Sequence, residues 1–505
     1  MAHPDATQTI VEAPVMARAS APAGERKRSD LLAALALALM IVIALAPQRP
    51  GVTTLLDAAA SQRAAYRYDR ALALYAEARV EAPSDPRPAC AEGETLTLQR
   101  EIAAAVAAYQ ACVTLAPGAT GAWLALGDAL AATGVASDEA QGAAAWRRAA
   151  LLGSEDAWAR LALRAERLGQ LDDATRDWAQ TLTRGTQGQI GDLGEVAAAH
   201  LGLLALARGD MAAARGHLAG VERSTSDLAT RMRNTGVFLF DQRSPTSALD
   251  WEGIGHALLA LGLPALALGP FQRAVALAPH DGVAHAYYGY ILWTLGQRDA
   301  ARPQIAAGLT DPPTVSFAYY AAGQVALADG KSALALAYFQ AGLRLDAHNP
   351  ALWSAAGDAA LASEDYLTAQ LSYQNAAQYS DAPSATIILI TFYLAHGIGL
   401  DDGTALQMAR DGMLRFPHSE PLLYLLGRIY DKLGQFDFAQ SAFELARGLD
   451  PTDPGPWLYL GRYAAASGDT IPAVVDLRTA LALQPNGPYA AKARATLAQL
   501  PTATL

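Results

Sequence analysis

Nine histidines and two cysteines are the residues best suited to metal or nucleophilic chemistry in this 505-residue chain. Their spacing argues against both. The histidines are scattered, with no His-Glu-x-x-His pair and no clustered carboxylates to complete a metal set. There is no phosphate-binding loop, no Gly-x-Gly-x-x-Gly after a strand pattern and no Gly-x-Ser-x-Gly elbow. Cys90 and Cys112 are too few for a disulfide framework or a zinc site. A reactive thiol needs a neighbour that lowers its pKa, and none is visible beside either. Both are therefore expected as small, buried, apolar residues. The chain reads as a non-enzyme, with no catalytic residue, cofactor, metal or small-molecule substrate.

Composition narrows the class further. Hydrophobic residues make up 52% of the chain, Ala and Leu dominate, and β-branched residues are sparse, which favours helices. The formal charge is −11 with no long basic run. Nucleic acid is excluded as a partner, because phosphate binding needs clustered Lys and Arg. At this length the chain exceeds one compact core, so it is either several domains or a repeat array.

Residues 31–47 stand apart. They open with sixteen uncharged apolar residues, "LLAALALALMIVIALA", behind Arg26, Lys27 and Arg28. As a helix, sixteen residues at ~1.5 Å each cover about 24 Å, slightly short of a ~30 Å hydrocarbon core. Ala44 and Ala46 would suit a cleavage site, but Pro47 would hinder cleavage immediately before it. The segment is read as an uncleaved transmembrane signal anchor, with a cleaved signal or a buried amphipathic helix as alternatives. The basic flank keeps the N-terminus cytoplasmic, so the rest is extracytoplasmic and the protein single-pass. Residues 1–30, rich in Ala, Pro and charge, are expected to be a disordered cytoplasmic tail.

Beyond Gly51 the chain repeats itself. "LGRIYDKLGQFDFAQSAFELARGLDP" begins at Leu426, and "LGRYAAASGDTIPAVVDLRTALALQP" begins 34 residues later at Leu460. The same interval separates Pro83 from Pro117, Gly93 from Gly127, and Gly289 from Gly323 and then Gly357. Within the period stand Trp-x-x-Leu-Gly ("WLALGDAL" from Trp123), a small residue, an aromatic four later, another small one, and Pro ("ALALGPFQRAVALAP"). From about residue 52 to the C-terminus the chain resembles the tetratricopeptide repeat family.

That resemblance implies an all-α solenoid, a right-handed superhelix of about twelve helix-turn-helix repeats. Small residues such as Gly127, Gly289 and Ala439 let two helices approach. Rings such as Tyr109, Phe339 and Phe443 fill the space between them. Gly169, Gly296 and Gly434 break the first helix before the second. Five Trp residues, among them Trp123, Trp158 and Trp353, fall on the fourth position, a packing site. Residues 52–221 form one block and 248–500 a second, ending in a capping helix. Residues 222–247, which fit no position of the repeat, form an insertion or joint.

In the family, first helices line a groove. Those positions here hold Tyr287, Tyr290, Trp293, Phe317, Tyr320 and Gln324, a set suited to a protein or peptide partner. Tight self-packing is the competing explanation. Arg428 and Arg462 hold the ninth position of consecutive units beside Tyr424 and Tyr459. They could fork onto an anion or carboxylate, or pair locally with Asp431. The family's Lys/Asn clamp for chaperone tails is not supplied by any three units. The functional expectation is a membrane-tethered scaffold that binds protein partners to assemble or maintain a membrane or envelope complex. The alternative is an accessory subunit of a cell-wall or polysaccharide-synthesising enzyme.

Overall fold

The computed structural model describes residues 51–185, 192–239, 244–310, 315–484 and 487–500. The expected anchor at 31–47 and the tail before it lie outside that set. Among the described residues no helix is long and apolar enough to cross a membrane. These residues fold as twenty-six α-helices and one 3-10 turn, without a strand. Twenty-four of the helices form twelve consecutive pairs, from Val52–Ala64 with Tyr68–Glu81 to Pro454–Ala466 with Thr470–Leu483. The other two are Asp227–Asn234 and a final helix, Ala490–Gln499. In most units each helix packs most closely on its partner in the pair, and the second helix then packs on the first helix of the next pair. In the tenth pair both helices lean more on the neighbouring units than on each other, and across residues 222–247 it is the first helix of the fifth pair that meets the sixth. The described residues are an all-α repeat solenoid.

Three local devices build each pair. The eighth residue of the first helix is often Gly, and the ring sixteen residues later rests on it. At Gly93, Gly255, Gly323, Gly357 and Gly427 an added Cβ would come within 3.0 Å of Tyr109, Phe271, Phe339, Tyr373 and Phe443, respectively. These rings are almost wholly buried, so the missing side chain sets the distance between the two helices.

The second device is the turn. The fifteenth residue takes a left-handed conformation in unit after unit, with φ of 79° at Gly262, 73° at Gly330 and 71° at Gly434. The next amide then reaches back five residues, as Leu263 N to Leu258 O at 3.0 Å and Gln435 N to Tyr430 O at 2.9 Å. This closes the helix C-terminus and satisfies carbonyls that would otherwise be orphaned.

The third device joins one unit to the next. The indole N–H groups of Trp123, Trp353 and Trp457 donate to the carbonyls of Pro117, Ala347 and Pro451, each six residues earlier, at 2.8–2.9 Å. His285 occupies the same position, with Nε2 3.0 Å from the Pro279 carbonyl. The fourth position is therefore a clamp on the inter-unit turn as well as a packing site.

Residues 222–239 add a short helix whose Ala229 and Met232, with Val237 and Phe238 beyond it, are buried. They belong to an apolar cluster that runs from Ala159 to Ile291. Farther along, the Arg100 charge helps hold the Asp450 carboxyl below its usual range, after the larger effect of hydrogen bonds from Thr452.

Candidate partner-binding site

Tyr287 and Tyr290 project from helix Gly282–Thr294, and Phe317, Tyr320 and Gln324 from helix Ser316–Ala328. These two first helices pack directly on each other. Tyr287 and Phe317 stack with centroids 3.8 Å apart and planes 6° from parallel. Phe271 stacks on Tyr287 at 5.2 Å, so Tyr287 lies between two rings. Tyr290 meets Phe317 edge-on at 5.3 Å and Tyr320 at 5.8 Å. Burial, followed by the neighbouring Tyr290 hydroxyl, pushes the Tyr320 hydroxyl up to about 12, and a hydrogen bond with Gln324 opposes that rise. Tyr287, Tyr290, Phe317, Tyr320 and Gln324 are half-buried, and Phe271 beneath them is fully buried. The rings thus pack on one another without being fully covered, an arrangement that offers a rigid amphipathic surface.

Trp293 does not join the row. Its ring lies beneath two guanidiniums, Arg298 at 5.1 Å and Arg302 at 5.4 Å. Arg302 also forks onto Asp329 through bonds of 2.9 and 2.8 Å. The structure therefore brings five of the six expected wall residues into mutual contact, while Trp293 packs against the same buried cluster as Tyr290 and Phe317 without joining the stacked rings.

At the C-terminal end Tyr424 and Tyr459 are buried, with centroids 6.2 Å apart, and Phe443 stacks on Tyr459 at 4.5 Å. The Tyr424 hydroxyl donates to the Tyr489 hydroxyl at 2.7 Å. Burial, reinforced by Tyr489, holds the Tyr424 hydroxyl well above its ordinary range. Arg428 lies 5.8 Å over the Tyr424 ring and Arg462 5.6 Å over that of Tyr459. The Arg428 guanidinium also donates a hydrogen bond to the Tyr459 hydroxyl. Asp431, the local acid expected as a partner, instead accepts a 2.7 Å bond from the Tyr463 hydroxyl.

One expectation needs correction. Cys90 and Cys112 are not free apolar thiols. They form a disulfide between the two helices of the second pair, with Cα atoms 5.1 Å apart. The fifth residue of the first helix faces the eleventh of the second there, a juxtaposition that counting cysteines cannot show. One histidine does lie beside a carboxylate. Glu166, 3% exposed, accepts from the Trp178 indole at 2.7 Å and lies 3.0 Å from His200 Nδ1. The His200 ring stacks on Trp178 at 4.5 Å. Glu166 and His200 are 34 residues apart, one repeat period, so the repeat itself carried that signal. Among the described residues no group of three His, Cys, Asp or Glu side chains could hold a metal ion.

Two carboxyl pairs also escaped the sequence. Burial, then Asp281, raises Glu252 to about 7. Burial, then Asp453 and Asp450, raises Glu420 to about 7. Asp281 and Asp453 each cap the first helix of the following unit, so both pairs lie at junctions between units.

Residues 420–453 match the family model of the tetratricopeptide repeat. No curated protein sequence matches the chain. Among solved structures it is similar to YrrB, a tetratricopeptide repeat protein with an unusual peptide-binding site. That similarity is 18% identity and a TM-score of 0.31, over 38% of this chain and 97% of that one. It is similar to pilF of Pseudomonas aeruginosa at 16% identity and a TM-score of 0.35, over 42% and 96%. It is similar to yeast Tom70 at 13% identity and a TM-score of 0.36, over 88% and 95%. The matched segment, 420–453, spans the eleventh of the twelve helix pairs.

Proposed function

We propose that this protein is a non-catalytic scaffold, tethered to a membrane by residues 31–47, that holds a protein partner against the wall formed by its first helices. Its role is the assembly or maintenance of a membrane or envelope complex. The observation that carries the reading is the row of Tyr287, Tyr290, Phe317 and Tyr320. Four aromatic side chains from consecutive first helices stay partly accessible although they contact one another. A pre-stacked surface loses little side-chain entropy when a partner docks, which favours recognition. The tether rests on the apolar segment and its basic flank. The Cys90–Cys112 bond supports placing the array in an oxidising, extracytoplasmic compartment.

A photo-crosslinking side chain at Tyr290, compared with one at the outward-facing Leu445, tests the wall in intact cells. Leu445 is 61% exposed. Discrete adducts from position 290 alone are expected; equal labelling from both, or none from either, would remove the wall as a binding surface. Protease digestion of intact and lysed cells tests the placement, with cleavage of the array in intact cytoplasm-facing preparations counting against it.

A further inference from the structure

The ninth residue of each first helix changes character along the array. It is Glu94 and Asp128 near the start, Tyr290 and Gln324 in the aromatic row, Asp358 next, and Arg428 and Arg462 at the end. The acids at this position are all answered from within. Glu94 pairs with Arg63 at 2.6 Å, and Asp128 with Arg160 at 2.9 Å. Asp358 accepts a 2.7 Å bond from the Tyr373 hydroxyl. The two arginines rest on tyrosines and have no carboxylate partner. Among the described residues neither forms an ion pair, and the nearby Asp431 is engaged by Tyr463.

Both guanidiniums are half-buried and set on tyrosine rings, and both charges act on the Tyr459 hydroxyl. Tyr489, from the start of the final helix, ties the Tyr424 hydroxyl and so fixes the platform under Arg428. Half-buried cations held in place without an anion are poised for one, since a charge-assisted bond strengthens as water is excluded.

We infer that Arg428 and Arg462 form a receptor for two carboxylates of an acidic peptide segment, at the C-terminal end of the partner-binding wall. The two rings on which they rest have centroids 6.2 Å apart. An extended peptide advances about 3.3 Å per residue, so the matching acids are about two or three positions apart, as in Glu-x-Glu or Glu-x-x-Glu. The net charge of −11 repels acidic peptides in general. Recognition must therefore be local to this pair, and it selects for spacing. This inference rests on the wall being a protein-binding surface, and it names the chemistry of the segment bound there.

The test is a random ten-residue peptide display selection against the full chain, run in parallel on Arg428→Gln/Arg462→Gln. The expected result is enrichment of paired Asp or Glu at those spacings on the native chain, absent from the variant. Glu→Gln versions of the selected peptides should bind on the order of tenfold more weakly or worse, as loss of charge-assisted hydrogen bonds implies. Selected peptides without acid enrichment would overturn the receptor while leaving the wall intact. Failure to select any peptide would overturn both. Arg428→Lys/Arg462→Lys keeps the charge and loses the fork, and is expected to retain acid enrichment with weaker binding. If the Gln variant melts with the native chain yet keeps the acid preference, the receptor is overturned. If it fails to fold, the Lys variant decides: acid enrichment retained with weaker binding in a folded Lys variant supports the fork, and unchanged affinity overturns it.

Discussion

Tyr373 rests on Gly357 so closely that a Cβ there would lie 2.5 Å from its Cε1, and it cannot slide away because its hydroxyl donates to Asp358 at 2.7 Å. The one contact fixes both the spacing and the rotation of the two helices in the ninth pair. Gly357→Ala should therefore destabilise that pair by roughly 1–3 kcal/mol, the usual result of overpacking. Because each unit contacts mainly its neighbours, the loss should be local. Amide exchange should rise within residues 350–379 and the adjoining pairs, with the distant N-terminal units unchanged. Unaltered exchange across 350–379 would show that the ring has room to move.

The left-handed fifteenth position offers a test of opposite sign. Tyr66, Arg100 and Glu364 hold it with φ of 57°, 59° and 61°, where other units use Gly. A side chain in that conformation is disfavoured by roughly 1–2 kcal/mol, only partly offset by the larger chain entropy of Gly. Glu364→Gly should raise thermal stability, whereas Gly330→Ala should lower it by a comparable amount. Melting curves moving in the same direction for both would refute the assignment.

The Cys90–Cys112 bond closes a loop of 22 residues. Such a loop corresponds to about 3 kcal/mol in the chain-entropy account. Reduction, or Cys90→Ala with Cys112→Ala, should loosen the first three pairs while sparing the C-terminal units. Amide exchange of residues 52–132 is the measurement, and indifference to reductant there would contradict a stabilising role.

Glu252 and Glu420 predict the pH response. Each is raised from 4.5 to about 7, first by burial and then by neighbouring carboxyls. A raised folded-state pKa means that the native state holds its proton more tightly than the unfolded chain does. Their contribution is fully present below about pH 4.5 and is lost as pH climbs through about 7. Urea melts should therefore show the native chain weakening between pH 5 and pH 8. Glu252→Gln/Glu420→Gln should shrink that difference. If the variant weakens as much as the native chain, these two groups are not responsible.

Much of the fold was legible because a repeat states its geometry many times. Gly at the eighth position with a ring sixteen residues on, as in Gly427 and Phe443, encodes one close approach that recurs along the array. Gly296 and Gly434 mark turns because few other residues adopt a left-handed backbone without strain. The wall was less legible. The repeat register named Tyr287, Phe317 and Trp293 as equals, but only side-chain directions show the first two stacked and the third beneath two arginines.

By itself the sequence determined the helix-pair period and the all-α class, because periodicity and steric demand are local properties. The tertiary structure alone decided which polar groups meet. It joined Cys90 to Cys112, set Glu166 against His200, and gave Asp431 to Tyr463 in place of Arg428. Such pairings turn on a few ångströms and a rotamer between separate helices, and one-dimensional spacing leaves both open.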